Sequence, residues 1–160
     1  PESVLAISKP VKPYCRKPLI VKLSPNVADI TENARAAEEG GADAIALINT
    51  VSGMAVDAYS MRPVLANVKG GLSGPAVKPI ALRMVYDCHN AVRIPIIGMG
   101  GITSGTDVAE FMLCGASAVQ VGAANIMNPM AMPEIISRLA NYLTETGIDD
   151  INSLVGALKV

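Results

Sequence analysis

The sequence predicts an α/β fold built on parallel strands, and three observations carry the prediction. Four short apolar runs recur along the 160 residues, each followed by a stretch with helical spacing. The chain is 51% hydrophobic yet holds one Phe and no Trp, so its core must come from Ala, Val, Ile, Leu and Met, a composition that suits strands buried on both faces. Two glycine-rich loops, GGLSGPAVKP (70–79) and GMGG (98–101), each open a helix. Small residues and outward N–H groups there let an anion or a flat ring approach closely.

Each element has its own justification. The opening residues read as the tail of a helix, and the chain starts at Pro1 rather than Met, so the expectation is the downstream part of something longer. LIVKL (19–23), AIALIN (44–49), PIIGM (95–99) and AVQVG (118–122) have the length and composition of buried strands. In DITENARAAEEGG, Ile30, Ala34 and Ala37 share one helical face, Glu32, Arg35 and Glu39 lie opposite, and Gly40 and Gly41 supply a stop. The next helix carries Ala81, Met84, Val85, Cys88 and Val92 at helical spacing, with Arg83, Asp87 and Asn90 outward. Ser104 with Asp107 three residues later resembles a helix start. The last helix is expected to bury Ile135, Ile136, Leu139 and Leu143.

The order is βα repeated about four times in one domain, residues 1–160, with right-handed crossovers. An open doubly wound sheet and part of a (β/α)8 TIM barrel both fit. The barrel is favoured, because the first βα turn is not GxGxxG and a phosphate site after the last strands is the barrel habit. Four units fill about half of it. The one long loop, Thr50 to Pro75, is expected to be functional or a small hairpin excursion, with VLAN (64–67) as one strand.

Bulk properties narrow the function. The formal net charge is −1, with no basic run and no interleaving of aromatic and basic residues, so no nucleic acid is expected as a partner. The uncharged stretch Phe111–Pro133 is broken by Gly115, Gly122, Pro129 and Pro133, which argues against a membrane span. No signal peptide is expected. Cys15, Cys88 and Cys114 are odd in number, far apart and without CxxC, which points to a reduced, cytoplasmic protein. With one His, a metal site is not expected.

Several residues carry candidate chemistry. Lys22 sits inside an apolar strand and must pair, snorkel to water or face a site, where its ammonium stabilises an anionic ring or phosphate. Asn49 and Thr50 close a strand at the end where barrel enzymes keep their chemistry, although an Asx-type turn explains them equally well. Gly70, Gly71, Ser73 and Gly74 read as one loop. Gly98, Gly100 and Gly101 close one strand, and Gly122 and Ala123 close the next before a short helix near Asn125. Together these last two clusters form a phosphate cradle. Cys88 belongs to an apolar stripe, and its neighbour His89 does not share its helix face, so the two are not read as a catalytic pair.

The succession KPLIVKLSPNV, ALINTVSGM, PVLANVKGGLSGPAVKPIALR, IPIIGMGGI and GASAVQVGAANI resembles the C-terminal half of the flavin subunit of dihydroorotate dehydrogenase, most closely the NAD-linked class 1B form, from about Pro18 to about Leu143. The resemblance implies an FMN-containing (β/α)8 barrel that oxidises dihydroorotate to orotate in pyrimidine biosynthesis. It implies that Lys22 and Ile48 contact the flavin and that Asn49 and Thr50 hydrogen-bond the pyrimidine. Gly74 is implied as a flavin-binding glycine, and Gly100, Gly101, Gly122 and Ala123 as contacts on the phosphate side. It further implies a homodimer and a partner subunit carrying FAD and a [2Fe–2S] cluster that passes electrons to NAD. The family's catalytic base is a Cys upstream of the VKLSPN strand. None of the three cysteines matches it, so this chain alone is expected to lack activity. The competing expectations are a dihydropyrimidine dehydrogenase-type flavin domain, a non-redox barrel enzyme binding a sugar phosphate, and an inactive interaction unit.

Overall fold

The computed structural model describes all of Pro1–Val160. Its centre is a four-stranded sheet of β1 (Ile20–Lys22), β2 (Ala44–Leu47), β7 (Ile96–Met99) and β8 (Ala118–Gln120), every pair parallel. The strands lie side by side in chain order, with no reversal. Helices α1 (Glu2–Val11), α2 (Ile30–Glu39), α3 (Lys78–His89), α4 (Gly105–Leu113) and α6 (Ala131–Thr146) pack as a row, α1 on α2, α2 on α3, α3 on α4 and α4 on α6. Helices that touch in succession lie on one face of the sheet, whereas a doubly wound fold divides them between two. The chain is therefore an α/β arrangement consistent with part of a TIM barrel.

Strand alternation explains the core. Ile45, Leu47, Ile96 and Gly98 turn to the helices, where Phe111 of α4 packs against the backbone of Gly98. With Val85, Cys88, Ile102 and Met112 they form a close-packed apolar centre. The opposite face is covered only in the middle. Ala46 and Met99 are buried, but Ile20 and Lys22 on β1 and Ala118 and Gln120 on β8 are exposed, and β1 and β8 are the two sheet edges.

Carboxylates pin the amino-terminal ends of the strands. Asp43 accepts from the Leu19 N–H at 2.6 Å and pairs with Lys12, while Glu38 accepts from the N–H groups of Arg93 at 2.8 Å and Ile94 at 3.2 Å. After Leu154, which is buried, the C-terminal segment joins α4 through Gly156 N–H to Met112 O at 3.0 Å. No helix is long and apolar enough to cross a membrane.

Three expectations need correction. The long loop is a hairpin excursion of β3 (Val51–Met54) against β6 (Lys69–Leu72), with a smaller pair β4 (Val56–Asp57) and β5 (Arg62–Pro63) at its tip, but 64–67 is a turn and not a strand. Pro63 closes β5, and Val68 at φ 65° turns the chain sharply before β6. Gly70 and Gly71 accordingly belong to β6, leaving only Ser73 and Gly74 as the loop before α3. On α6, Ile135 is buried and Leu139 and Leu143 are half-buried, but Ile136 is 60% exposed, because it stands one residue, about 100° round the helix, from the stripe of Ile135 and Leu139.

Cys88 is fully buried, and burial pushes its thiol up to about 12. Its neighbour His89 turns away and packs beside Gly115 and Gly156. Since the thiolate is the reactive form, iodoacetamide applied to the folded chain at pH 8 should label Cys15 and leave Cys88 intact until denaturant is added. Peptide mass spectrometry reads the outcome, and early labelling of Cys88 would contradict this packing.

Candidate functional site

A cleft of about 720 Å³ opens at the carboxyl ends of the four central strands, within the range of small-molecule and cofactor sites. It is assembled from the segments that follow each strand. Lys22 ends β1, Ile48, Asn49 and Thr50 follow β2, Gly100 and Gly101 follow β7, and Gly122 and Ala123 follow β8. Gly74 enters from the loop before α3. All nine residues singled out for cofactor and pyrimidine contacts thus line one cavity.

Register explains the convergence. Lys22 sits opposite Ala46, Leu47 opposite Gly98, and Met99 opposite Gln120, so the strands finish at nearly one level. The Ile48 N–H donates to Met99 O at 3.0 Å and the Asn49 N–H to Leu23 O at 3.1 Å, which carries the ladder past the last paired residues. Lys22 is exposed to the cleft and makes no ion pair. Its ammonium is therefore available to an anionic ligand group.

The walls show where a ligand approaches the backbone. A methyl group placed on Gly74 or Gly122 meets nothing within 4 Å, although both glycines line the cleft. Side chains there would fill cavity space. Gly122 also precedes the five-residue α5 (Ala123–Met127), which starts at the cavity wall. Gly74 and Gly101 both have positive φ, +87° and +78°, but Gly101 is crowded: a methyl group there would stand 2.8 Å from Gly74 O and 2.9 Å from Lys78 Cβ. The two glycine loops are therefore pressed together behind the cavity.

An ion network holds that contact. Lys78 Nζ lies 2.6 Å from Asp107 and 2.7 Å from Glu110. The second Asp107 oxygen accepts from the N–H groups of Thr103 and Ser104, each at 2.8 Å, and from the Thr103 hydroxyl at 3.0 Å. With the Ser104 hydroxyl accepting from the Asp107 N–H, this completes the capping box of α4. Burial alone raises the Asp107 carboxyl, but Lys78 and the donors of Thr103 and Ser104 outweigh it and hold the group at about 2. Lys78 is raised in turn, by Asp107 first and Glu110 second.

Sequence reasoning missed several residues on the cavity wall. Met99, Thr103, Gln120, Asn128 and Glu134 all line it, as does Ser73, which the sequence reading named only as part of a loop. Gln120 ends β8 as Lys22 ends β1, so the strand-end rule that selected Asn49 would have found it. Glu134 lies on α6 beside Asn128, which donates to it at 3.2 Å, and no local pattern announces either. No group of three His, Cys, Asp or Glu is placed to hold a metal ion, and no cysteine lines the cleft.

Fold and cleft together define the class: a parallel α/β protein with a ligand-sized cleft at the carboxyl ends of its central strands. The chain matches the family model described as dihydroorotate dehydrogenase over residues 2–143, and it belongs to that family. It is 56% identical over 158 residues to a protein of Alkaliphilus oremlandii named dihydroorotate dehydrogenase B (NAD(+)), catalytic subunit, covering 99% of this chain and 52% of the relative. Proteins of the same name match from Geobacter metallireducens, 56% identical over 100% of this chain and 52% of the relative, and from Trichlorobacter lovleyi, 60% identical over 90% of this chain and 47% of the relative. The chain spans about half the length of these relatives.

Proposed function

We propose that residues 1–160 form the second half of an FMN-binding (β/α)8 barrel that oxidises dihydroorotate to orotate in pyrimidine biosynthesis. The observation that supports this reading is a single cleft lined by an unpaired ammonium, Lys22, and by two glycines, Gly74 and Gly122, whose missing side chains leave room inside it. The exposed edges β1 and β8 are where the remaining strands of a barrel would pair. The relatives' name puts dihydroorotate ahead of uracil or thymine as substrate.

FMN, when bound, supplies the acceptor for the hydride that leaves C6 of dihydroorotate. The chain's own residues do the rest of their share by binding and orientation. Lys22 holds a positive charge beside the ring, Ile48 offers an apolar contact, and the backbone of Gly74, Gly100, Gly101, Gly122 and Ala123 receives the phosphate side. The Asn49 amide and Thr50 hydroxyl hydrogen-bond the pyrimidine. The base that takes the C5 proton lies outside this chain, so residues 1–160 alone do not turn over. In the cytoplasm the assembled subunit works as a homodimer with a partner subunit that carries FAD and [2Fe–2S] and passes electrons to NAD.

Two measurements test this reading. Residues 1–160 alone should not reduce an artificial acceptor with dihydroorotate, whereas the same residues joined to the upstream half of the Alkaliphilus oremlandii relative should purify yellow, release FMN on denaturation and turn over. A colourless, inactive but folded fusion would refute the assignment. In that fusion, Gly122→Val should weaken FMN binding at least about tenfold, because overpacking costs about 1–3 kcal/mol. The Cβ that it adds meets no protein atom within 4 Å, so the loss is expected in flavin binding ahead of any change in the melting temperature without flavin.

A further inference from the structure

Asn26 is a polar side chain of the β1–α2 turn that bonds the backbone at Thr50, a residue of the cleft wall, and at Ser52. It lies in the SPN turn after Leu23, four residues beyond Lys22. Its amide nitrogen donates to Thr50 O at 3.0 Å and to Ser24 Oγ at 3.2 Å. Its amide oxygen accepts from the Ser52 N–H at 2.8 Å. One planar group therefore grips the chain on both sides of Val51, the residue at which β2 hands over to the excursion hairpin. Its partners are main-chain atoms 24 and 26 residues away in sequence.

The other side of Thr50 is also fixed. Its hydroxyl and methyl group occupy the space a side chain at Gly71 would need. Gly71 is opposite Ser52 in the β3–β6 ladder. Thr50 is thus held through its carbonyl by Asn26 and through its side chain by the bare backbone of β6. Asn49, just before it, is tied by its own N–H to Leu23 O at 3.1 Å. None of these contacts involves Gly74, Gly100, Gly101 or Gly122, the glycines that line the cleft.

We propose that Asn26 is a positioning residue for the pyrimidine side of the site: by clamping Thr50 O and the Ser52 N–H it sets the angle at which Asn49 and Thr50 meet the ring. The inference rests on the reading of Asn49 and Thr50 given above. It separates ring orientation, set by the β1–α2 turn, from flavin retention, set by the glycine loops.

The test uses the fusion that joins the upstream half of the Alkaliphilus oremlandii relative to residues 1–160. Orotate is titrated against the visible flavin spectrum, and FMN affinity is measured separately by recovery of flavin fluorescence on dilution. Asn26→Leu removes both arms of the clamp and should weaken orotate binding about tenfold, the effect of about 1.4 kcal/mol, while FMN affinity stays within about twofold. Amide exchange at Ser52 should speed up in the same variant. Asn26→Asp keeps the acceptor for Ser52 and loses the donor to Thr50, so it should recover part of the orotate affinity and all of the Ser52 protection. Unchanged orotate affinity in Asn26→Leu overturns the proposal, as does an equal loss of orotate and FMN, which marks a general structural role. Should Asn26→Leu fail to fold, Asn26→Asp decides: weakened orotate with intact FMN supports the clamp, and wild-type behaviour at both ligands overturns it. A wild-type fusion that holds FMN but shows no spectral response to orotate overturns the reading of Asn49 and Thr50 itself, an outcome distinct from the others.

Discussion

Gly101→Ala is expected to lower the stability of the chain by about 2–5 kcal/mol, the largest effect of a methyl group added at any of the glycines that line the cleft. Two costs combine. At φ +78° a side chain sits in the left-handed region, which costs an L-residue about 1–2 kcal/mol. The new carbon would also stand 2.8 Å from Gly74 O, 2.9 Å from Lys78 Cβ and 3.0 Å from Lys78 N. Two of those three atoms are backbone and cannot swing aside, so the β7–α4 loop must retreat from α3, and overpacking of this kind costs about 1–3 kcal/mol. Against a total stability of about 5–15 kcal/mol the change is large, and it should appear as a drop of about 10 °C in the thermal midpoint. Gly122→Ala is the control, for it adds the same methyl group beside the same cleft where nothing lies within 4 Å. Equal midpoints for the two variants would show that the loops are not pressed together as described. In the flavin-loaded fusion the two should also differ in kind: Gly101→Ala loses flavin because the wall moves, Gly122→Ala because the wall is intact and the cavity is smaller.

That contrast marks what the sequence can and cannot disclose. The strands were legible because each buried run is short, apolar and bounded, and a period of two or an unbroken apolar stretch is a local property. The α4 start was legible because Ser104 and Asp107 are three residues apart and the capping box is local. The excursion was legible only as excess length. Its strands β4 and β5 are two residues each, too short for any periodicity, and the turns at Met61, before β5, and at Val68, before β6, are made by non-glycine residues with positive φ that no turn rule selects. The exposed Ile136 shows the same limit on a helix: Ile135 and Ile136 are equally apolar, and only tertiary packing decides which of the two is buried. Of the cleft, the glycines and strand-end polar groups were visible in the motifs. The roles of Lys78 and Asn26 were not, because each acts on partners 24 or more residues away.

Asp107→Ala should rank beside Gly101→Ala, at about 3–5 kcal/mol, and it should reveal a dependence on pH. The substitution strips the acceptor from the N–H groups of Thr103 and Ser104 and from the Thr103 hydroxyl, and it leaves Lys78 facing Glu110 alone. Lys78 is only partly buried, so most of the cost comes from the three donors of Thr103 and Ser104 left without their acceptor, about 1–3 kcal/mol for each that is buried. The sign of the pH effect follows from the direction of the shift. Asp107 is held at about 2 in the folded chain against an ordinary 3.8, so the folded state favours the carboxylate. Its contribution, about 2 kcal/mol from the difference in the two values, is complete above pH 4 and disappears as pH falls from about 4 to about 2. Lys78 is shifted the other way, so its share persists through neutral pH and is lost only as pH rises beyond the ordinary lysine range. The exposed carboxylates Asp29, Asp43 and Asp57 are lowered as well, by hydrogen bonds from Thr31, Lys12 and Ser60 respectively, and they add to acid unfolding in any variant. The informative quantity is therefore the gap between wild type and Asp107→Asn in urea unfolding. That gap should hold from pH 6 to about pH 4 and narrow from about pH 4 towards pH 2, as the carboxyl takes up its proton first in the unfolded and then in the folded chain. A gap that stays constant across this interval would mean that the charge on Asp107 does not hold the β7–α4 loop, and the loop's position would then rest on the packing of Gly101 alone.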